Sequence, residues 1–165
     1  MSTQIKSYLI FEIGEEHFGI NVSKVMGIRE YVTPKKIPHT FKFVAGIIEH
    51  QDEIIPLIDT GIKFGMAPVK ISPTTCIVVL ELFDEISKKN YKLGISIDSV
   101  SDVLEIDESN MKNVTVDDYK PLFIQSFYMH DQKVIYILDA DVIFNNKEVV
   151  TLINSVDDLD ENKEK

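Results

Sequence analysis

Residues 43–64 read FVAGIIEHQDEIIPLIDTGIKF. Apolar blocks stand on either side of a polar tip, Glu49-His50-Gln51-Asp52-Glu53. The pattern predicts strand, turn, strand, and then a short capped element beginning near Asp59. It returns at residues 123–144, FIQSFYMHDQKVIYILDADVIF, which align without a gap at an offset of 80. Phe43 falls on Phe123, His50 on His130, Ile55 on Ile135, Asp59 on Asp139 and Phe64 on Phe144. Working outward, FGINVSKVMGIRE (18–30) lies over LGISIDSVSDVLE (93–105) at an offset of 75, sharing Gly19/Gly94, Ile20/Ile95, Val25/Val100 and Glu30/Glu105. Two segments recurring in the same order predict two versions of one small unit, the second with five extra residues. The competing explanation is chance, since apolar patterning alone makes amphipathic hairpins look alike.

The whole chain has 165 residues, enough for one ordinary domain or two small ones tightly joined. A unit of roughly 60–70 residues is near the lower limit for a self-sufficient core, so the two copies should share buried surface. A hydrophobic fraction of 44% with 27% charged residues is that of a globular protein in water. No run reaches the roughly 18 apolar residues of a membrane span. The N-terminal MSTQIKSYLIF moves straight into alternating strand sequence and lacks the shape of a signal peptide. The single cysteine, Cys76, sits in an apolar run and forms no internal disulfide, so the cytoplasm is the expected compartment. A formal net charge of −10 opposes binding to nucleic acid or to an anionic membrane.

Strands are predicted at 8–12, 17–20, 28–32, 75–83 and 91–97, with 101–106 extended. Asn21 can cap a short helical turn, which would put Val22, Val25 and Met26 on one face at i, i+3 and i+4, either as core or as a partner groove. Thr33–Pro38 is a loop whose two prolines deny ladder donors, and 65–74 links the halves. A capped turn is expected over 107–112, Asp139 should cap a helix over 140–144 ended by Asn145-Asn146, and 149–156 is apolar. The acidic tail 157–165 is expected to be disordered. Many short strands with few, short helices predict a mainly β protein of small barrels.

Catalytic patterns are scarce. His17, His39, His50 and His130 are scattered without metal-ligand spacing, and the residues of the first tip would diverge rather than converge on an ion. There is no nucleophile elbow, and Cys76 reads as a packed small hydrophobe. Asp59 and Asp139 could form a carboxylate pair, but helix capping accounts for both. No enzyme, metal or cofactor is expected. What remains is surface for binding other proteins.

With these segments assembled, the chain resembles the CheW family of bacterial chemotaxis coupling proteins over roughly residues 6–145. The carrying motifs are FEIGEEHFGINVSKVMGIREY, then IP followed by FVAGIIEHQDEIIPLIDTGIKFG, LGISIDSVSDVLEI and VIYILDADVIF. The resemblance implies two five-stranded SH3-like barrels packed around a shared interface with a few short helices. One domain over 1–156 follows, with a first barrel mainly over 13–66, a second mainly over 74–145, and terminal segments packing across. It further implies a non-catalytic adaptor that joins the regulatory domain of the histidine kinase CheA to the cytoplasmic tips of chemoreceptors, and that meets other CheW-like domains in rings. Receptor contact would fall on Val22, Val25, Met26 and Gln51. Kinase contact would fall on Gly46, Ile47, Glu49, His50 and Asp52, with Ser126 and Phe127 as their counterparts on the second barrel.

One departure stands out. Family members carry Asn-Leu-Arg-Gly at the hairpin tip, where this chain has Glu49-His50-Gln51-Asp52. A bidentate cation becomes a neutral amide with acids beside it. An acidic partner surface would then meet like charge. The partners have co-adapted, or the chain joins arrays in a modified or structural role. CheV-type proteins, which fuse a CheW-like domain to a receiver domain, are the near alternative; a stand-alone adaptor is expected because 165 residues leave only the acidic tail after the second copy. The rival from another class is a small-ligand barrel, disfavoured because the chain has no tryptophan to stack on a sugar or base.

Overall fold

The computed structural model describes residues 4–38, 40–85, 87–113, 124–144, 151, 152, 154 and 156. In chain order the strands are β1 (Ile5–Ile13), β2 (Glu16–Asn21), β3 (Val25–Glu30), β4 (Val44–His50), β5 (Glu53–Asp59), β6 (Cys76–Asp84), β7 (Lys89–Ile97), β8 (Ser99–Asp107), β9 (Lys112–Asn113), β10 (Ile124–His130) and β11 (Lys133–Leu138). Helix α1 (Thr60–Lys63) follows β5, and α2 (Ala140–Phe144) follows β11. One sheet has the order β3-β6-β7-β5-β4 and the other β8-β1-β2-β11-β10-β9, the last strand being only two residues long. These are the two SH3-like barrels.

Two strands are apolar on both faces because each serves two cores. Along β1, Tyr8 and Ile10 pack with Ile106, Ile135 and Ile137 inside their own barrel, while Leu9, Phe11 and Ile13 turn to a shared cluster. Along β6, Ile77 and Val79 pack with Ile48, Ile55 and Leu57, while Val78, Leu80 and Leu82 join that same shared cluster. Successive strand residues point to opposite faces, so continuous apolar sequence is what a strand between two cores requires. Burying each such aliphatic side chain is worth about 1.5–3 kcal/mol.

The repeat is present in three dimensions down to its irregularities. The β4–β5 turn is made by Gln51 (φ 49°) and Asp52 (φ 65°), and the β10–β11 turn by Asp131 (φ 48°) and Gln132 (φ 65°). Both are two-residue turns with left-handed φ at each position, the twist that suits a hairpin. A register shift interrupts β4–β5 between Val44 and Gly46, and another interrupts β10–β11 between Ile124 and Ser126. Gly19 faces Ile137 and Gly94 faces Leu57 across equivalent parallel pairings. A Cβ on either would come within 3.0 Å of an isoleucine methyl, Ile137 Cδ1 for Gly19 and Ile77 Cγ2 for Gly94.

Those parallel pairings correct the division of the chain. Hairpin β4–β5 from the first copy pairs through β5 with β7 from the second, and β11 pairs with β2 from the first. The five-stranded sheet therefore runs over 25–97, and the other sheet is assembled from 5–21 and 99–138. Barrels over 13–66 and 74–145 do not describe this; β2 on one side, and β6 and β7 on the other, belong with the opposite copy.

The helical face expected over Val22, Val25 and Met26 is also corrected. Asn21 does cap a turn, its Oδ1 accepting from Ser23 N at 2.9 Å. That turn is a 3-10 turn ending at Lys24, and β3 starts at Val25. Val25 packs against the shared core, while Val22 and Met26 are exposed. The strand expected at 28–32 begins three residues earlier. Asp107 caps the turn at Glu108–Asn110 through Ser109 N at 2.9 Å, as expected. In the apolar stretch 149–156, Thr151, Leu152, Asn154 and Val156 are helical, with Leu152 and Val156 in the shared core. His39, Phe123, Asn145-Asn146 and the tail 157–165 lie outside the described residues.

Candidate interaction surface

At the polar end of the five-stranded barrel, His50 and Glu53 face each other across the last rung of the β4–β5 hairpin. Arg29 reaches them from β3. Its Nη1 donates to the Glu49 carbonyl oxygen at 2.7 Å and lies 3.3 Å from His50 Nδ1. Lys92 of β7 pairs with Glu53 at 3.2 Å. Burial, and then the Arg29 and Lys92 charges, hold the His50 imidazole below its ordinary pKa of 6.5, with Glu53 opposing them. The tip is thus not a bare acidic patch: two cations from distant strands stand behind it.

Beside the tip lies an apolar groove of about 760 Å³, walled by Val32, Ile37, Pro38, Ile47 and Ile54, with Lys35, Lys36 and Glu49 among its polar lining. The loop bearing the two prolines holds its place by a two-way backbone bond, Lys35 N to Ile47 O and Ile47 N to Lys35 O, each 2.9 Å. Gly46 makes that approach possible. Its φ is +148°, and a Cβ there would run into the Lys35 carbonyl oxygen. Gly46 shapes the groove and offers a partner no side chain.

On the second barrel, Ser126 is buried and its hydroxyl donates to Met111 Sδ at 3.4 Å. Phe127 is half-buried, edge-on to Tyr136 at 5.6 Å between centroids. Of that pair only Phe127 has side-chain surface to offer.

A separate apolar surface runs from the 3-10 turn at Val22 onto β3, an edge strand of its sheet. Val22 is 37% exposed, Met26 53% and Ile28 49%. Sequence reasoning included the first two and missed Ile28. Alternation along β3 would have paired Ile28 with Met26 had the strand been begun at Val25. Arg29 and Lys92 were missed as well, since nothing local brings β3 and β7 to a hairpin tip. Gln51, expected on the receptor side, is exposed in the tip turn beside His50 and Asp52.

Asp59 accepts from Ile62 N at 3.1 Å and from Val69 N at 3.2 Å, and Asp139 accepts from Val142 N at 3.3 Å. Both cap helices, each at the end of a different sheet. His17 Nε2 stands 2.8 Å from Glu12 and His130 Nε2 3.4 Å from Asp131. Among the described residues no three metal-ligating side chains converge, and no helix is long and apolar enough to cross a membrane.

The fold has known counterparts. The scaffolding protein TtCheW from Thermoanaerobacter tengcongensis superimposes with a TM-score of 0.74 at 27% identity, covering 88% of this chain and 96% of that one. The CheW-like domain family matches residues 7–148. The chain belongs to the CheW-like family. The CheW chemotaxis protein of Klebsiella aerogenes is 34% identical over 101 residues, 61% of this chain and 57% of that protein. That of Bacillus subtilis is 20% identical over 152 residues, 89% of this chain and 94% of that protein. The CheW-like match takes in β1 nearly whole and every later strand, so both barrels and both hairpin tips fall within it.

Proposed function

We propose that this CheW-like chain is a non-catalytic adaptor, working in the cytoplasm, that joins the histidine kinase CheA to chemoreceptor tips in membrane-associated arrays. The observation that carries the reading is the exposed apolar edge of β3 on a fold shared nearly end to end with a scaffolding protein. Val22, Met26 and Ile28 supply the receptor-side contact, with Val25 supporting them from the core. Ile47, Glu49, His50 and Asp52 supply the kinase-side contact, and Phe127 the corresponding contact on the second barrel. Other CheW-like domains are the third class of partner. The net charge of −10 opposes contact with a nucleic acid or an anionic bilayer, and no insertion into the membrane is part of this role.

Co-sedimentation with receptor signalling fragments and CheA, with kinase activity read in the same tubes, tests this. Incorporation with activation is the expected result. Incorporation without activation would make the chain a structural array member, and no incorporation by natively folded protein would remove the adaptor role. Met26→Asp should lower receptor binding with an unchanged circular dichroism spectrum, because Met26 is exposed; full binding by that variant would take β3 out of the receptor surface.

A further inference from the structure

β3 and β4 are the two outermost strands of the five-stranded sheet. A bond between them closes the sheet into a barrel, and Arg29 makes one. From β3 its Nη1 touches two successive residues of the β4–β5 hairpin, the Glu49 carbonyl oxygen and His50 Nδ1. A guanidinium has donors only, so His50 Nδ1 must present a lone pair, with the neutral ring's proton on Nε2. The second barrel lacks this arrangement. By the repeat offsets Leu104 stands in the place of Arg29, His130 of His50, Lys133 of Glu53 and His17 of Lys92. These four line a cavity of about 210 Å³.

We propose that Arg29 is a positioning residue: it clasps the hairpin tip to β3 while His50 is unprotonated, and its hold on the tip loosens when His50 takes up a proton. Protonation removes one of the guanidinium's two acceptors, leaving the Glu49 carbonyl, and sets two cations 3.3 Å apart. The groups facing His50 are Arg29 from β3, Lys92 from β7, and Glu53 from β5, itself occupied by Lys92. Glu49 and Asp52 flank it on its own hairpin, and Lys35 and Lys36 line the adjoining groove. The two cations nearest the ring oppose its protonation, in keeping with the depressed imidazole. The consequence for CheA binding rests on the proposed function; the clasp itself does not.

The experiment is an imidazole NMR titration of the full chain, wild type against Arg29→Leu and Arg29→Lys. The expected result is a His50 midpoint that rises in Arg29→Leu while that of His130 stays put, with the Gln51 and Asp52 amide signals moving at the His50 midpoint in the wild type. Arg29→Lys, which keeps charge but not the forked reach, should loosen the tip amides and raise the His50 midpoint less. An unchanged His50 midpoint in Arg29→Leu overturns the clasp. Affinity for the CheA regulatory domain is then compared at pH 7.5 and 5.5. A drop of about two- to fivefold in the wild type is expected, the range a part-exposed charge contact supports, and its absence in His50→Gln. A drop of equal size in His50→Gln overturns the switch. If the wild type binds no kinase at either pH, the adaptor reading fails, and the NMR titration still decides the clasp.

Discussion

At the scale of single residues, Gly46 and Gly27 are opposites that look alike in the sequence. Gly46 has left-handed φ and the Lys35 carbonyl against its missing Cβ; Gly27 has neither, with no atom within 4 Å of an added Cβ. Gly46→Ala should therefore destabilise by about 2 kcal/mol or more, through strain and the displaced loop. Gly27→Ala should be neutral or stabilise by about 0.4–1 kcal/mol by narrowing the unfolded ensemble. Urea unfolding of both variants checks the contrast. His50 adds a pH dependence with a definite sign. Its folded-state pKa is depressed below 6.5, so the unfolded chain binds more protons as the medium is acidified. Its contribution to stability is whole above 6.5 and is lost as pH falls toward and through the folded value. The gap in urea midpoint between wild type and His50→Gln should change in that window and be flat above it.

At the scale of elements, the two caps are unequal. Asp59 ties down the first turn of α1 and also Val69 of the following link, whereas the Asp139 carboxylate accepts from Val142 alone among the described amides. Asp59→Ala should cost about 1–2 kcal/mol and Asp139→Ala less than about 1 kcal/mol, measured by thermal unfolding. The capping roles of Asn21, Asp59, Asp107 and Asp139 were legible because capping is local: a short polar side chain, an amide two or three residues on, and nothing else. The two hairpins were legible for the same reason, their alternation and tips falling in one window. The start of β3 was not. Asn21 signals a helical turn, but how far it runs depends on pairing with the distant β6, and Val25 already pairs with Leu80. Arg29 at the tip was beyond local reading for a similar reason, since β3 and β4 meet only when the sheet closes.

At the scale of the whole molecule, repetition was visible in the sequence but interlocking was not. Copies that match in order predict two units; only the pairings of β5 with β7 and β2 with β11 show that each barrel borrows from the other copy. Separately expressed residues 1–67 and 75–165 should therefore stay unfolded alone, and the intact chain should unfold in one transition. A native-like spectrum from either half would contradict the interlock. The same pairings set a schedule for synthesis. The sheet over 25–97 is complete in sequence once β7 has left the ribosome. β2 must wait for β11, more than a hundred residues later. At about 5–20 residues per second that interval is on the order of ten seconds. Through it Phe18 and Ile20, bound for the shared core, lack the strand that finally covers their flank. In a cell this N-terminal hairpin is where a chaperone would find the nascent chain.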